Sequence, residues 1–463
     1  MTRAELLVGL DVGTTSSKAV VFGTDGVPLS LGRATTPWRS VEVVDGGSDP
    51  TSRDALPGTE LLAAELLDAV LTALSRALAG APEGRVVALG VTSMGESGVL
   101  LDAHDEPVAP VIAWHDNRDL GEVADVDRAL GEAVFNARTG LPLRSQWSLT
   151  KHRWQLDNDP RAAAAVTRLN IAEWVVRCLG GEQASDASLA SRTGWLDLAA
   201  RDWWLESLDW SGASATLMAP LVTSGTDLGR VRSAAGVERL AGAVLTTAGH
   251  DHQAATVGAH AAGPGDQLDS CGTAEALVRT VPAPFPAPGV ARLAQSGITV
   301  GWHVLADRWA LLGATEGGLA LTRVLSVFGG SREVLAQLDA AALDASHGAV
   351  TVEVDDSTRV TVGGIGDGVT AGDVWRATLE TITDQVLDLH RSMTSVVGQH
   401  RNMVVTGGWS RSAALMQVKQ RAFGDLTRSA VDEAGARGAA LLAGLAAGTY
   451  AGVGDFPDPE PLS

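Results

Sequence analysis

Several things are scarce in this 463-residue sequence, and each shortage narrows its chemistry. There are two cysteines, Cys178 and Cys271, and no CxxC pair, so neither a disulfide scaffold nor a zinc module is expected. Basic residues are few: 35 Lys and Arg against 55 Asp and Glu leave a net charge of −20. A general nucleic-acid binder would show a basic stripe, so nucleic acid is not an expected partner. The same field repels anions, and an anionic ligand must be held by local dipoles and a metal. No apolar run approaches the roughly 20 residues of a membrane span, and a membrane role is not expected. Only five residues precede Leu6, without a basic segment and apolar core, so no signal peptide is read and a cytoplasmic location is expected. The phosphate loop GxxxxGK[ST] is missing too, as are long linkers and low-complexity tails.

What is present is a globular composition, 45% hydrophobic and 19% charged, long enough for two or three domains of about 100–200 residues. "LLVGLDVGTTSSKAVVF", Leu6 to Phe22, reads as two strands joined by a tight Gly-Thr turn, with Asp11 at the tip of the first. "LDSCGTAEALV", Leu268 to Val278, has the same parts, which suggests two related halves. Leu62, Leu66, Val70, Leu74 and Leu78 predict an amphipathic helix over Glu60–Ala79. Trp375, Leu379, Ile382, Val386 and Leu389 predict another over Asp373–Met393. Met403–Val405 reads as a strand running into Gly407-Gly408, then helices over Ser412–Phe423 and Ala434–Ala447. "GGIGDG" at 363–368 reads as turns. Strands interleaved with helices indicate an α/β fold.

Two segments carry most of the candidate chemistry. In Asp11-Val12-Gly13-Thr14-Thr15 the glycine lets backbone approach a ligand, and successive N–H and hydroxyl groups make a phosphate nest. A carboxylate beside that nest fits if Mg²⁺ bridges it; the alternative is a plain hairpin whose Asp11 bonds its own turn. In "GHDHQ", Asp251 is either a helix N-cap or a base that takes a proton from a substrate hydroxyl. His250 and His252 lack a third metal ligand nearby. The SxxK of Ser148–Lys151 has no KTG or SDN companion and carries no β-lactamase reading.

Taken in order, these segments resemble the FGGY carbohydrate kinases. The resemblance rests on "GLDVGTTSSKAVVF", "GVTSMGESGVLLDAHDEPVAPVIAWHDNRD", "SLTKHRWQLDNDP", "DASLASRTGWLDLAARDWW", "AGHDHQAATVGAH", "DSCGTAEAL", "VVTGGWSRSAALMQVKQRAFG" and "ARGAALLAGLAAG", and spans residues 6 to about 448. It implies two ribonuclease-H-like domains of the actin/hexokinase superfold facing a central cleft, with a sugar-binding domain over 1–247 and a nucleotide-binding domain over 248–463. It implies ATP and Mg²⁺ as cofactors and a small sugar or polyol as partner. Asp251 would be the general base and Asp11 would place the metal. Gly13, Thr14, Thr15, Gly272 and Thr273 would hold phosphates, with Gly407 and Gly408 against adenosine. Glu96, Trp114, Asp116, Arg118 and His252 would line the sugar site. Two departures stand out: Gly95 replaces the arginine that precedes the glutamate in glycerol kinases, and "AVTVEVDDSTRVTVGGIG" replaces a longer loop. Two acids against one arginine favour a neutral ligand, with a pentulose such as xylulose preferred, although Glu96 could instead pair with Arg118. A homodimer is compatible with this reading. An actin-like assembly protein and a catalytically degenerate sugar binder are the rival classes.

Overall fold

The structure, a computed structural model, describes residues 4–43, 56–233, 236–345, 348, 350–355 and 359–459. The strand Glu5–Val12 buries Leu6, Leu7, Val8, Leu10 and Val12, residues of both parities, because both of its faces are covered. It pairs antiparallel with Ser16–Gly23 and parallel with Arg85–Ser93. The sheet runs Val244–His250, Arg85–Ser93, Glu5–Val12, Ser16–Gly23, Pro28–Thr35. Parallel neighbours need a crossover, and the helix Ala63–Gly80 supplies it with Leu66, Val70, Leu74 and Leu78 buried at the expected spacing. It starts later than its apolar pattern suggests because Glu60 and Leu61 are drawn into the strand Leu56–Leu61, opposite Ile112 and Val111.

The opposite face of the sheet is covered by the helix Ala434–Ala446, which lies unusually close. A Cβ on Gly9 would sit 1.8 Å from the carbonyl oxygen of Ala436, and one on Gly90 would sit 2.0 Å from that of Ala439. The same helix packs on Asp251–Gly258, where a Cβ on Gly438 would lie 1.9 Å from the carbonyl oxygen of Ala254. The tryptophan-rich middle of the chain forms its own cluster around Phe135, Trp147, Trp195 and Trp204.

The suspected repeat is present in the backbone. Gln267–Cys271 pairs antiparallel with the strand that starts at Glu275 and parallel with Met403–Thr406, the plan of the first hairpin. The helix Ala371–Val397 begins two residues before its apolar pattern because Thr370 and Asp373 form a reciprocal cap. In place of the longer loop, Thr351–Val354 and Val360–Gly363 form a hairpin that packs Val352 near Val374 and Ala377.

Contacts divide the chain into two compact units. One runs through His260 and is rejoined by Pro282–Ala310 and by the chain from Glu433; the other comprises Ala261–Val281 and Leu311–Asp432. The chain thus crosses between units several times, and Asp251 with the closing helix belongs to the first.

Candidate active site

In the first unit, Asp11 ends its strand and Asp251 opens its helix. The helix N-cap is His250, one residue earlier, so Asp251 is not the cap; its Oδ1 accepts the N–H of His252 at 2.6 Å. Gly435 binds the two acids into one place: a Cβ there would lie 2.8 Å from Asp11 Oδ2 and 3.7 Å from the carbonyl oxygen of Asp251. The first turn of the closing helix therefore passes directly beside Asp11. Burial, then the neighbouring Asp251, pushes the Asp11 carboxyl up to about 7. Burial raises Asp251 to about 7 as well, against the pull of the His252 N–H. Asp11 Oδ1 is buried with no hydrogen-bond partner. An orphaned hard oxygen beside a second carboxylate fits Mg²⁺. The His250 and His252 rings lie tilted against each other with centroids 5.5 Å apart, and burial holds both neutral, His252 down to about 4.

The turn after Asp11 is tied down by aromatics. Gly13 N–H donates to the Ser16 carbonyl, Thr36 Oγ1 donates to the Gly13 carbonyl, and Trp38 Nε1 donates to the Thr14 carbonyl. Trp114 Nε1 donates to Thr14 Oγ1 at 2.9 Å, linking the expected sugar segment to the expected phosphate turn. Thr15 is exposed at the tip.

Glu96 is 4% exposed and holds φ at 63°, a backbone state that non-glycine residues seldom adopt. It does not pair with Arg118. Its Oε1 takes Arg192 Nε at 2.8 Å, Arg192 Nη2 at 2.6 Å and Gln146 Nε2 at 3.1 Å. Arg118 instead grips Asp116 through Nε and Nη2, reaches Glu60, and lies over the Trp154 ring. Asp116 also accepts the Thr59 N–H, and although burial alone would raise its carboxyl, Arg118 holds it low. No hydrogen bond or ion pair joins Asp116 or Arg118 to Glu96, Asp251 or His252 among the described residues. These two side chains brace the loop that carries Trp114.

In the second unit, Gly272 makes the tip of the hairpin, with its N–H on the Ala274 carbonyl. The helix Gly317–Val327 abuts it: a Cβ on Gly318 would lie 1.9 Å from the Gly272 carbonyl oxygen and 2.6 Å from that of Thr273. Gly407, at φ 89°, brings the third segment in; a Cβ there would meet the Cys271 carbonyl oxygen at 2.3 Å. Gly408 has nothing within 4 Å of its would-be Cβ and borders a cavity of about 390 Å³ lined by Arg332, Leu335, Asp339, Trp409 and Arg411.

Beneath the Gly272 turn lies a cluster that sequence reasoning did not single out. Lys419, fully buried, bonds Asp269 Oδ2 at 2.7 Å and also Glu275 Oε1. Burial raises Glu275 to about 8, and Cys271 stands 3.6 Å from Asp269. Asp269, Cys271 and Glu275 have metal-like spacing, but the Lys419 ammonium already supplies the cation. A helix-facing lysine in "MQVKQRAF" and a strand acid are visible in the sequence, but nothing local joins them.

The chain matches the N-terminal domain of the FGGY family of carbohydrate kinases over residues 6–258 and the C-terminal domain over 270–447. It is 31% identical to a glycerol kinase of Aromatoleum aromaticum over 96% of this chain and 91% of that one. Its fold is similar to that of a xylulose kinase from Rhodospirillum rubrum, with a TM-score of 0.81 and 23% identity over 98% and 94% of the two chains. Plasmodium falciparum glycerol kinase with ADP superposes with a TM-score of 0.84 at 16% identity, over 100% of this chain and 94% of the other. Both halves of the chain carry the family's domains in order, and the fold is the two-domain actin/hexokinase-like α/β fold. This protein belongs to the FGGY family of carbohydrate kinases.

Proposed function

We propose that the protein transfers the γ-phosphoryl group of ATP to a hydroxyl of a small neutral sugar or polyol. The observation that carries this reading is the pairing of Asp251 with Asp11 at the start of the closing helix, both carboxyls raised to about 7. A base with that pKa takes a hydroxyl proton at neutral pH without being fully neutralised itself. Asp251 accepts the proton as the hydroxyl oxygen attacks phosphorus. Mg²⁺, held by Asp11, would offset the phosphate charge that a chain of net charge −20 otherwise repels. In the first unit the Gly13–Thr15 turn offers groups to phosphate oxygens; in the second the Gly272-Thr273 turn does the same, Gly407 allows the close approach of the third segment, and Gly408 leaves room for the adenosine. Trp114 offers an apolar face to sugar C–H groups, Glu96 and His252 receive hydroxyls, and Asp116 with Arg118 acts from behind by fixing the Trp114 loop. Sugar recognition falls to the N-terminal family domain and nucleotide binding to the C-terminal one.

The Glu96–Arg192 pair is charge-compensated, which supports a neutral acceptor. Xylulose and related pentuloses remain the favoured acceptors, and the glycerol kinase relatives add glycerol to the candidates. The test is ADP release with ATP and Mg²⁺ across glycerol, pentuloses, pentitols and aldonates. Turnover of a neutral pentulose or polyol above the aldonates supports the reading, and preferred turnover of an aldonate overturns the charge argument.

A further inference from the structure

The space beside Gly95 is taken by two residues from elsewhere in the chain, His250 and Arg192. A Cβ on Gly95 would lie 2.9 Å from His250 Cδ2 and 3.3 Å from Arg192 Cγ. Arg192, just past the short helix Ala187–Ala190, is buried and committed on every side. Its Nε and Nη2 bind Glu96 Oε1, its Nη1 donates to Thr299 Oγ1 at 2.6 Å, and its guanidinium lies 5.2 Å over the Trp147 ring. Glu96 is pinned from the other end as well. Its carbonyl oxygen accepts from Ser148 Oγ and from Arg168 Nη2 at 3.0 Å, and these hold the residue at positive φ. Strain of this kind persists where the surroundings over-determine it, and it clusters at ligand clamps. All three side-chain donors converge on Oε1, and Oε2 has no protein partner among the described residues.

We propose that Arg192 is the positioning residue for acceptor specificity: it enters the space left by Gly95, locks Glu96 through Oε1, and leaves Oε2 aimed at one hydroxyl of the acceptor. This rests on the kinase reading above. Arg192 touches Glu96 and not the acceptor. Its loss frees Glu96 to rotate, so a hydrogen bond to a charged acceptor atom is lost from substrate binding and not from the chemical step.

The experiment is steady-state kinetics of Arg192→Met, Arg192→Lys, Glu96→Gln and the Glu96→Gln/Arg192→Met pair, beside acceptor-induced thermal shifts measured without ATP. Arg192→Met is expected to raise KM for the acceptor on the order of 10–100-fold. Its kcat and its KM for ATP should stay within about threefold, with Arg192→Lys intermediate. If Arg192 acts through Glu96, the pair is no worse than the worse single variant. An unchanged acceptor KM, an equal loss toward ATP, or multiplying effects in the pair would each overturn the proposal. Should Arg192→Met not fold, Arg192→Lys and the pair, which leaves no unpaired buried charge, decide the matter. Should the wild-type protein phosphorylate no acceptor, the kinase reading falls. The polyol-induced thermal shift, present in wild type and reduced in Arg192→Lys, then tests Arg192 alone.

Discussion

Asp251 and Glu96 are both carboxylates, and their neighbours give them different work. Asp251 sits at a helix start beside Asp11, 23% exposed, with its carboxyl raised to about 7, whereas Glu96 is bound by an arginine. Asp251→Asn keeps the shape and removes the proposed base, so kcat should fall about 10²–10⁴-fold while the acceptor KM changes little; single-turnover assays check this, and near-wild-type turnover would remove Asp251 from the chemistry. Gly95→Ala should raise the acceptor KM by displacing His250 or Arg192, because a ring carbon 2.9 Å away cannot be shared. Asp251 was legible in the sequence because "GHDHQ" is a local motif. Arg192 was not, since a glycine does not announce which distant side chain fills the space beside it. The pairing weighed for Glu96, with Arg118, fails because Arg118 is claimed by Asp116 two residues away.

Among the elements, the closing helix works by being small. Its glycines and alanines let its backbone touch the strands at Gly9 and Gly90 and the Asp251 helix, which brings its first turn beside Asp11. Gly438→Ala puts a methyl group against a backbone oxygen, and overpacking of this kind costs about 1–3 kcal/mol; urea unfolding of the variant should show that loss together with reduced kcat. In the other unit, Lys419→Met leaves Asp269 and Glu275 buried without their cation, which costs about 3–5 kcal/mol. Thermal unfolding should register it even if ATP protects. Helices were legible from apolar spacing to within one to four residues at their ends, since that signal is local and the ends are set by neighbours. The strand Leu56–Leu61 was not, because it exists only through partners at Arg39–Val43 and Val111–Ile112. The hairpin repeat was readable in outline. In the first hairpin the acid stands two residues before the Gly-Thr glycine, and in the second three before, so alternation turns Asp269 away from the turn and toward Lys419.

For the whole molecule, buried neutral histidines set a pH dependence. Burial lowers His303 to about 3 and His152 to about 4, from an ordinary value near 6.5. Below pH 6.5 the unfolded chain takes up these protons and the folded chain does not. Their contribution to stability is therefore complete above pH 6.5 and is lost as the pH falls toward 4 and 3. Each histidine adds about 1.4 kcal/mol per pH unit to that slope. His303→Asn keeps an acceptor for the Leu305 N–H and removes the titration. Urea midpoints between pH 6 and 4.5 should fall less steeply in the variant, and parallel slopes would mean that His303 is already charged in the fold.

The first unit is completed by its last long segment, and this bears on how the protein is made. The ribosome delivers Asp11 and Asp251 long before residue 434, at roughly 5–20 residues per second. Until Ala434–Ala446 emerges, the sheet face over Gly9 and Gly90 has no cover and the two acids lack the helix turn that packs beside them. An unfinished chain therefore holds Asp251, the proposed base, without its setting and is expected not to consume ATP. Chains stalled before residue 434 should be chaperone clients and catalytically silent, so translation itself times the moment at which this kinase switches on.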